Sequence, residues 1–144
     1  MIASVTRLHV ARWRFLFPFA INAWRSARQA QRSAGFLGGA LALEPPLGFW
    51  TFTVWADEKS MRAFRNSDPH MQAMPRLLQW CDGASYTHWL QDDTSVPTAA
   101  VAFERLRDSG KLSKVNHPSA AHAAGRTSED AEPRAALPLR PCRA

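Results

Sequence analysis

The order of strand and helix patterns between residues 4 and 90 constrains the fold of this 144-residue chain more than any other feature. One helix-forming stretch separates the first two strand patterns, and another separates the last two. Strand–helix–strand–strand–helix–strand is the ferredoxin-like βαββαβ pattern. It predicts an α+β fold with helices on one face of a four-stranded antiparallel sheet. The predicted strands are residues 4–10, 36–43, 49–55 and 85–90.

The strongest strand pattern is FWTFTVW, residues 49–55, in which every residue is aromatic or β-branched. Its alternation puts Phe49 and Trp55 on one face of the sheet. If helices cover the other face, these two residues and Trp89 of the last strand form an exposed apolar patch. A second copy of the chain is the simplest cover for such a patch, so the sequence predicts a homodimer.

The first helical region begins near Pro18, a residue typical of the first turn of a helix. Apolar residues recur there at spacings of three and four, which predicts an amphipathic helix of four turns or more. Gly35 follows as a helix stop. The predicted apolar side carries Phe17, Ala20, Ile21, Trp24, Ala27 and Gln31.

The second helical region has two start signals. Asp57 is predicted to cap a short helix, and Asp68 followed by Pro69 is predicted to start another. His70 then lies in the first turn of that second helix. Pro75 removes one backbone hydrogen bond, which predicts a kink or restart.

The chain is predicted to hold one domain followed by a tail. A further helix at about residues 98–108 belongs to the domain, which spans residues 1–118. Beyond it, the sequence is rich in Ala, Pro, Arg, Ser and Glu and has no aromatic residue. Residues 119–144 are therefore predicted to form a disordered tail.

Positive charge is concentrated at the start of a chain whose net charge is +6. Residues 1–43 contain no acid, so this part either forms a solvated helix face or attracts phosphates, a membrane surface or a carboxylate ligand. A nucleic-acid-associated protein is a further alternative, but no known recognition motif supports a specific nucleic acid. The apolar run 15–23 is too short to span a bilayer. The six arginines are Arg7, Arg12, Arg14, Arg25, Arg28 and Arg32.

Cysteine and histidine spacing predicts neither a metal site nor a disulfide. Cys81 and Cys142 are far apart, and Cys81 is predicted to be a small buried side chain. This cysteine usage is typical of a reducing compartment, so the predicted location is cytoplasmic.

His70 is the first candidate for chemistry. At a helix N-terminus the dipole disfavours an added positive charge, so the imidazole stays neutral. A neutral imidazole is what a general base or an iron ligand requires. The alternative is a histidine that tops a helix and bonds to the backbone.

Five further residues are candidates for binding. Trp55, Trp24 and Phe64 can line a cavity for a flat, apolar ligand, although core packing is the alternative for each. Arg7 and His9 share one face of the first strand. They can bind a carboxylate ligand or bridge to a second subunit.

TVWADEKSMRAF followed by SDPHMQAM resembles the strand-to-helix signature of the dimeric α/β-barrel superfamily, which includes antibiotic biosynthesis and haem-degrading monooxygenases. WRFLFPFAINAWRSARQAQRSAGFLGG, FWTFTVW and ASYTHW together resemble the spheroidene monooxygenase-like branch. The resemblance covers residues 4–91.

The resemblance implies a homodimer in which two sheets form a barrel. Some relatives oxygenate polycyclic phenols without metal or flavin, and others bind haem through a histidine of the second helical region. It implies catalytic roles for Trp55 and His70, and a haem-ligand role for His70. Haem-degrading members also have a strand asparagine, where this chain offers Arg7 and His9.

The predicted function is a monooxygenase acting on a flat or polyene apolar substrate, with haem as a candidate cofactor. The alternative is a non-catalytic dimeric protein that binds an apolar or anionic small ligand.

Overall fold

The structure is a computed structural model that describes residues 1–128 and 132–142. Within those residues, a short 3₁₀ helix, Trp13–Phe15, precedes the first α-helix. The strands are β1 (Ile2–Val10), β2 (Phe36–Glu44), β3 (Gly48–Trp55), β4 (Cys81–Leu90), β5 (Lys111–Leu112) and β6 (Arg134–Leu139). The helices are α1 (Leu16–Arg32), α2 (Glu58–Arg65), α3 (His70–Trp80), α4 (Ala99–Ser109) and α5 (Ala120–Ala123).

The described strands form one antiparallel sheet in the order β5-β4-β1-β3-β2-β6. Its four central strands are those predicted, so the α+β, ferredoxin-like prediction is confirmed. The predicted number of strands is wrong, because the described sheet has six. The extra strands pair with β4 and β2, whose outer edges would otherwise leave backbone groups without partners.

Helices lie on both faces of this sheet, which corrects the prediction of helices on one face. α1, α2 and α3 cover the face that carries Phe49 and Trp55. α4 covers the opposite face, where Ala102 and Leu106 are fully buried against Val5 and other core residues.

The apolar patch predicted to need a second subunit is covered by the chain itself. Trp55 is buried among residues of α1 and α2. Phe49 packs against Phe19 of α1, with tilted rings whose centroids are 4.8 Å apart. Trp89 lies on the other face, where the guanidinium of Arg105 sits 5.0 Å from its ring centroid. This patch therefore gives no reason for a dimer, and the homodimer stays a prediction.

α1 packs through a different side from the predicted one. Phe19 and Ala30 are buried against the sheet, whereas Phe17, Ile21 and Trp24 are exposed. The buried side and the exposed side of α1 both carry apolar residues at helical spacing. The contact between Phe19 and Phe49 determines which side faces the sheet.

Part of the predicted disordered tail is ordered. The tail contains α5, and its strand β6 places Leu139 opposite Gly39 of β2. Leu139 is buried in the cluster that contains Phe36 and Trp55, so tertiary packing here outweighs the composition of the surrounding sequence. Residues 129–131 and 143–144 lie outside the described residues. None of the described helices is long and apolar enough to cross a membrane.

Candidate active site

A cavity of about 490 Å³ lies between the sheet and helices α1, α2 and α3. This volume falls within the range of roughly 300–1,000 Å³ that is typical of small-molecule sites. The space exists because the side of α1 above the sheet carries small residues, which leave a gap instead of filling it. Those residues are Ala23, Ser26, Ala27 and Ala30.

The floor of the cavity carries a row of hydroxyl groups. Thr6 of β1 pairs in register with Thr51 of β3 on one side and with Tyr86 of β4 on the other. All three line the cavity. Most of the other residues that line the cavity are apolar. The cavity is thus a mainly apolar site whose hydroxyl groups can orient an oxygen-bearing ligand.

Trp55, Phe64 and His70 form a continuous row of rings along the same cavity. The rings of Trp55 and Phe64 are stacked with centroids 5.1 Å apart, and those of Phe64 and His70 are 4.8 Å apart. The structure thus brings together three residues that the sequence singled out from three different elements.

The imidazole of His70 is held in one tautomer. Its Nδ1 lies 3.2 Å from the backbone carbonyl oxygen of Arg65. A carbonyl oxygen only accepts hydrogen bonds, so Nδ1 carries the proton and Nε2 keeps its lone pair. Burial lowers the pKa of His70 below its ordinary value near 6.5, and the charge of Arg65 lowers it further, although the carbonyl bond opposes both. Among residues 1–128 and 132–142, Nε2 has no hydrogen-bond partner, so near neutral pH His70 is a neutral imidazole with an available basic nitrogen.

Gln29 of α1 positions His70, a role that the sequence did not indicate. Its side-chain oxygen accepts from the backbone N–H of His70 at 2.8 Å, and its amide donates to the Ser67 hydroxyl at 2.7 Å. The predicted cap Asp68 does not cap α3; it accepts from Gln72 instead. α3 also runs through Pro75 without a restart.

Trp24 lies at the mouth of the cavity. It lines the space, yet 63% of its surface is exposed. The guanidinium of Arg28 sits 5.8 Å from its ring centroid. Trp24 can therefore contact a ligand at the entrance but not enclose it.

Arg7 and His9 do not join the other candidates, because strand alternation directs them to the opposite face of the sheet. Arg7 is buried, and its Nε donates to Glu44 at 2.7 Å. Nδ1 of His9 lies 2.6 Å from a carboxylate oxygen of Asp82. Both side chains have internal partners and are separated from the cavity, and their predicted role in binding a carboxylate ligand or a second subunit stays a prediction.

Cys81 is buried, and burial together with the nearby Asp82 charge raises its pKa to about 12. A thiol with such a pKa is not a nucleophile near neutral pH. Across residues 1–128 and 132–142, no cluster of three or more His, Cys, Asp or Glu side chains could hold a metal ion.

No protein-family model matches the sequence, and no curated protein does. Solved structures do match. A putative antibiotic biosynthesis monooxygenase from Nitrosomonas europaea has 12% identity and a TM-score of 0.57, over 63% of this chain and 98% of that one. SnoaB, a cofactor-independent oxygenase from Streptomyces nogalater, has 17% identity and a TM-score of 0.54, over 67% and 97% of the two chains. Rv0793 from Mycobacterium tuberculosis has 11% identity and a TM-score of 0.58, over 64% and 95%.

This chain has the same fold as these solved structures, among them an antibiotic biosynthesis monooxygenase and a cofactor-independent oxygenase. The resemblance found in the sequence is thereby confirmed at the level of the fold.

Proposed function

We propose that this protein is a monooxygenase that oxidises a flat, phenol-bearing apolar substrate without a cofactor. The observation that carries the proposal is the free Nε2 of a neutral His70 beside an apolar cavity with a hydroxyl-bearing floor. A structural neighbour, SnoaB, is a cofactor-independent oxygenase. Its name supports this chemistry without assigning a substrate here.

Nε2 of His70 would remove an acidic proton from the substrate, and hydroxyls such as those of Thr51 and Tyr86 would bind the oxygen on which negative charge develops. The resulting electron-rich anion can react with O₂ directly. In the conversion of a CH₂ group to a carbonyl, one oxygen atom enters the product and the other leaves as water. The substrate supplies all the electrons, so the reaction needs no external reductant.

Phe64, with the buried Trp55 stacked against it, serves this proposal as a flat apolar wall. Trp55 is fully buried and stacked on Phe64, so its ring is held rigidly. Rigid aromatic surfaces favour planar ligands because little side-chain freedom is lost on binding. Trp55 is thus proposed to hold the ring of Phe64 in the position that orients substrate against His70.

A haem-dependent reaction on a polyene is the second candidate. A polyene hydrocarbon has no proton that an imidazole can remove, so its oxygenation needs a cofactor that activates O₂. The cavity residues are compatible with haem: Nε2 of His70 would bind the iron, and Arg65, which also lines the cavity, would pair with a carboxylate of the haem, which would supply the activation of O₂.

Titration with hemin separates these two candidates. Because the proposed reaction uses His70 as a base, we expect the purified protein to show no Soret band and to take up no stoichiometric hemin. A Soret band that is lost in His70→Ala would instead assign His70 to iron and replace the cofactor-independent proposal.

Filling the cavity tests where the substrate binds. Ala27→Phe places a ring in the space beneath α1, and we expect it to weaken binding of 1,8-dihydroxyanthrone by about tenfold or more, or about 1.4 kcal/mol, because the ring occupies space that the ligand needs. The matched control is Ala100→Phe on an exposed part of α4, which should bind normally. Fluorescence titration under nitrogen measures both.

The same compound distinguishes an enzyme from the alternative, a non-catalytic binding protein. An enzyme converts the anthrone to the quinone with consumption of one O₂ per molecule, above the spontaneous rate. Binding that Ala27→Phe abolishes, without added oxygen consumption, would favour the non-catalytic protein. The homodimer and the cytoplasmic location also stay predictions.

A further inference from the structure

The outer side of α1 and the turn before it expose a row of large apolar residues. Phe17 is 76% exposed, Trp24 63% and Ile21 38%, and their spacing of four and three places them on one side of the helix. Trp13 in the preceding 3₁₀ helix is 66% exposed. We call these four residues the aromatic stripe. So large a cluster on a helix is a candidate interaction surface.

Positive charge surrounds the aromatic stripe. The helix and the turn before it carry no acid, and the chain has none before Glu44. Among residues 1–128 and 132–142, no surface arginine of this region forms an ion pair with a carboxylate. We call the exposed arginines of this region the arginine fringe; they are Arg12, Arg14, Arg25, Arg28 and Arg32.

We propose that the aromatic stripe and the arginine fringe dock this protein on an anionic membrane surface. Tryptophan and phenylalanine favour the boundary between lipid headgroups and acyl chains, and an amphipathic helix with basic residues beside such an apolar side lies in that plane. The arginines would pair with anionic headgroups, each contributing to adhesion.

Charge also argues against a second copy of the chain as the partner that binds the aromatic stripe. In a two-fold contact the same patch meets itself, so the arginine fringe of one subunit would face that of the other. Like charges brought together across an interface are repulsive. An anionic lipid surface complements both the apolar and the charged parts of the patch.

The docking surface is continuous with the mouth of the cavity. Trp24 belongs to both, and Leu43, Met74 and Leu137 also line the cavity while remaining exposed. An apolar substrate dissolved in lipid would therefore reach the cavity without crossing water. Delivery of substrate rests on the proposed function, whereas docking does not.

Co-sedimentation of the full chain with vesicles tests docking. We expect binding to phosphatidylcholine vesicles that contain phosphatidylglycerol, little binding to phosphatidylcholine alone, and weaker binding as salt is raised. Phe17→Ser/Trp24→Ser should weaken binding by about tenfold or more, because it removes two side chains that would insert into the lipid. Arg25→Gln/Arg28→Gln should weaken it by about 10- to 30-fold, at roughly one kcal/mol per charge.

Matched controls lie outside the patch. Leu90→Ser removes an apolar residue that is 80% exposed at the end of β4. Arg107→Gln/Lys111→Gln removes two exposed positive charges from α4 and β5. Both should bind vesicles like the parent. Equal binding by all variants, or no binding to anionic vesicles, would overturn the proposal. So would a dimer in light scattering that Phe17→Ser/Trp24→Ser converts to a monomer. Because no substrate is present, these outcomes are independent of whether the protein is an oxygenase.

Discussion

Glu44→Leu is expected to lower the free energy of unfolding by about 3–5 kcal/mol, the usual cost of leaving a buried charge without its partner. The Glu44 carboxylate accepts from Nε and Nη2 of Arg7 at 2.7 and 3.2 Å, and from the indole N–H of Trp50 at 2.9 Å. All three residues are buried beside the core that α4 covers. Without Glu44, the guanidinium and the indole N–H lose their acceptor while both remain buried. Urea unfolding measures the loss.

A double variant separates the loss of a partner from the loss of volume. Arg7→Met/Glu44→Leu removes both charges, so we expect it to be markedly more stable than Glu44→Leu alone. The exposed pair Arg62–Glu58 provides the control: Arg62→Met should cost less than about 1 kcal/mol, because solvent screens that pair. A cost below about 1 kcal/mol for Glu44→Leu would contradict the buried-pair account. Ligand binding should survive in the folded variants, since the pair lies on the opposite face from the cavity.

The strands were predictable because the relevant information is local. FWTFTVW contains no residue that disfavours a strand, and its alternation correctly separates the side chains that meet α1 from those that meet α4. The same holds for the start of α2, where the carboxylate of Asp57 accepts from the backbone N–H of Ser60 at 2.7 Å, as predicted for an N-cap.

The packing side of α1 was not predictable from its own pattern. Phe17, Ile21 and Trp24 show the same helical spacing as the buried side that contains Phe19 and Ala30, so periodicity alone does not distinguish the two. The decision depends on contacts such as that between Phe19 and Phe49, which are distant in sequence. The side that carries Phe17, Ile21 and Trp24 remained outside, and that exposure is what makes α1 a candidate for membrane docking.

The candidate site was predicted in part. Trp55, Phe64 and His70 were found from strand and helix signals, and the alternation that selects Trp55 also places Thr51 on the same face. Gln29 gave no such signal, because its partner His70 lies 41 positions away. The partner of Arg7 was hidden for the same reason: Glu44 is 37 positions away, so the sequence does not show that the two side chains form an ion pair.

His70→Ala is expected to reduce the enzyme-dependent oxidation of 1,8-dihydroxyanthrone by about 10²- to 10⁴-fold, the usual contribution of a general base. His70→Gln should be similarly impaired, since an amide can hydrogen-bond but does not take up a proton near neutral pH. The control His117→Ala alters an exposed histidine and should retain activity. Oxygen uptake, corrected for the spontaneous reaction, measures all three variants.

The pH dependence separates a base from a residue that merely shapes the cavity. The pKa of His70 is lowered by burial, so the imidazole stays neutral and active at pH values where an exposed histidine is already protonated. Activity should therefore fall only as the pH drops through a value below 6.5, the ordinary pKa of histidine. The residual activity of His70→Gln should lack that acidic limb, because protonation of His70 is what produces it. The base would have to be another group if the parent and His70→Gln showed the same acidic limb, or if His70→Gln retained full activity. His70 would then only pack against Phe64.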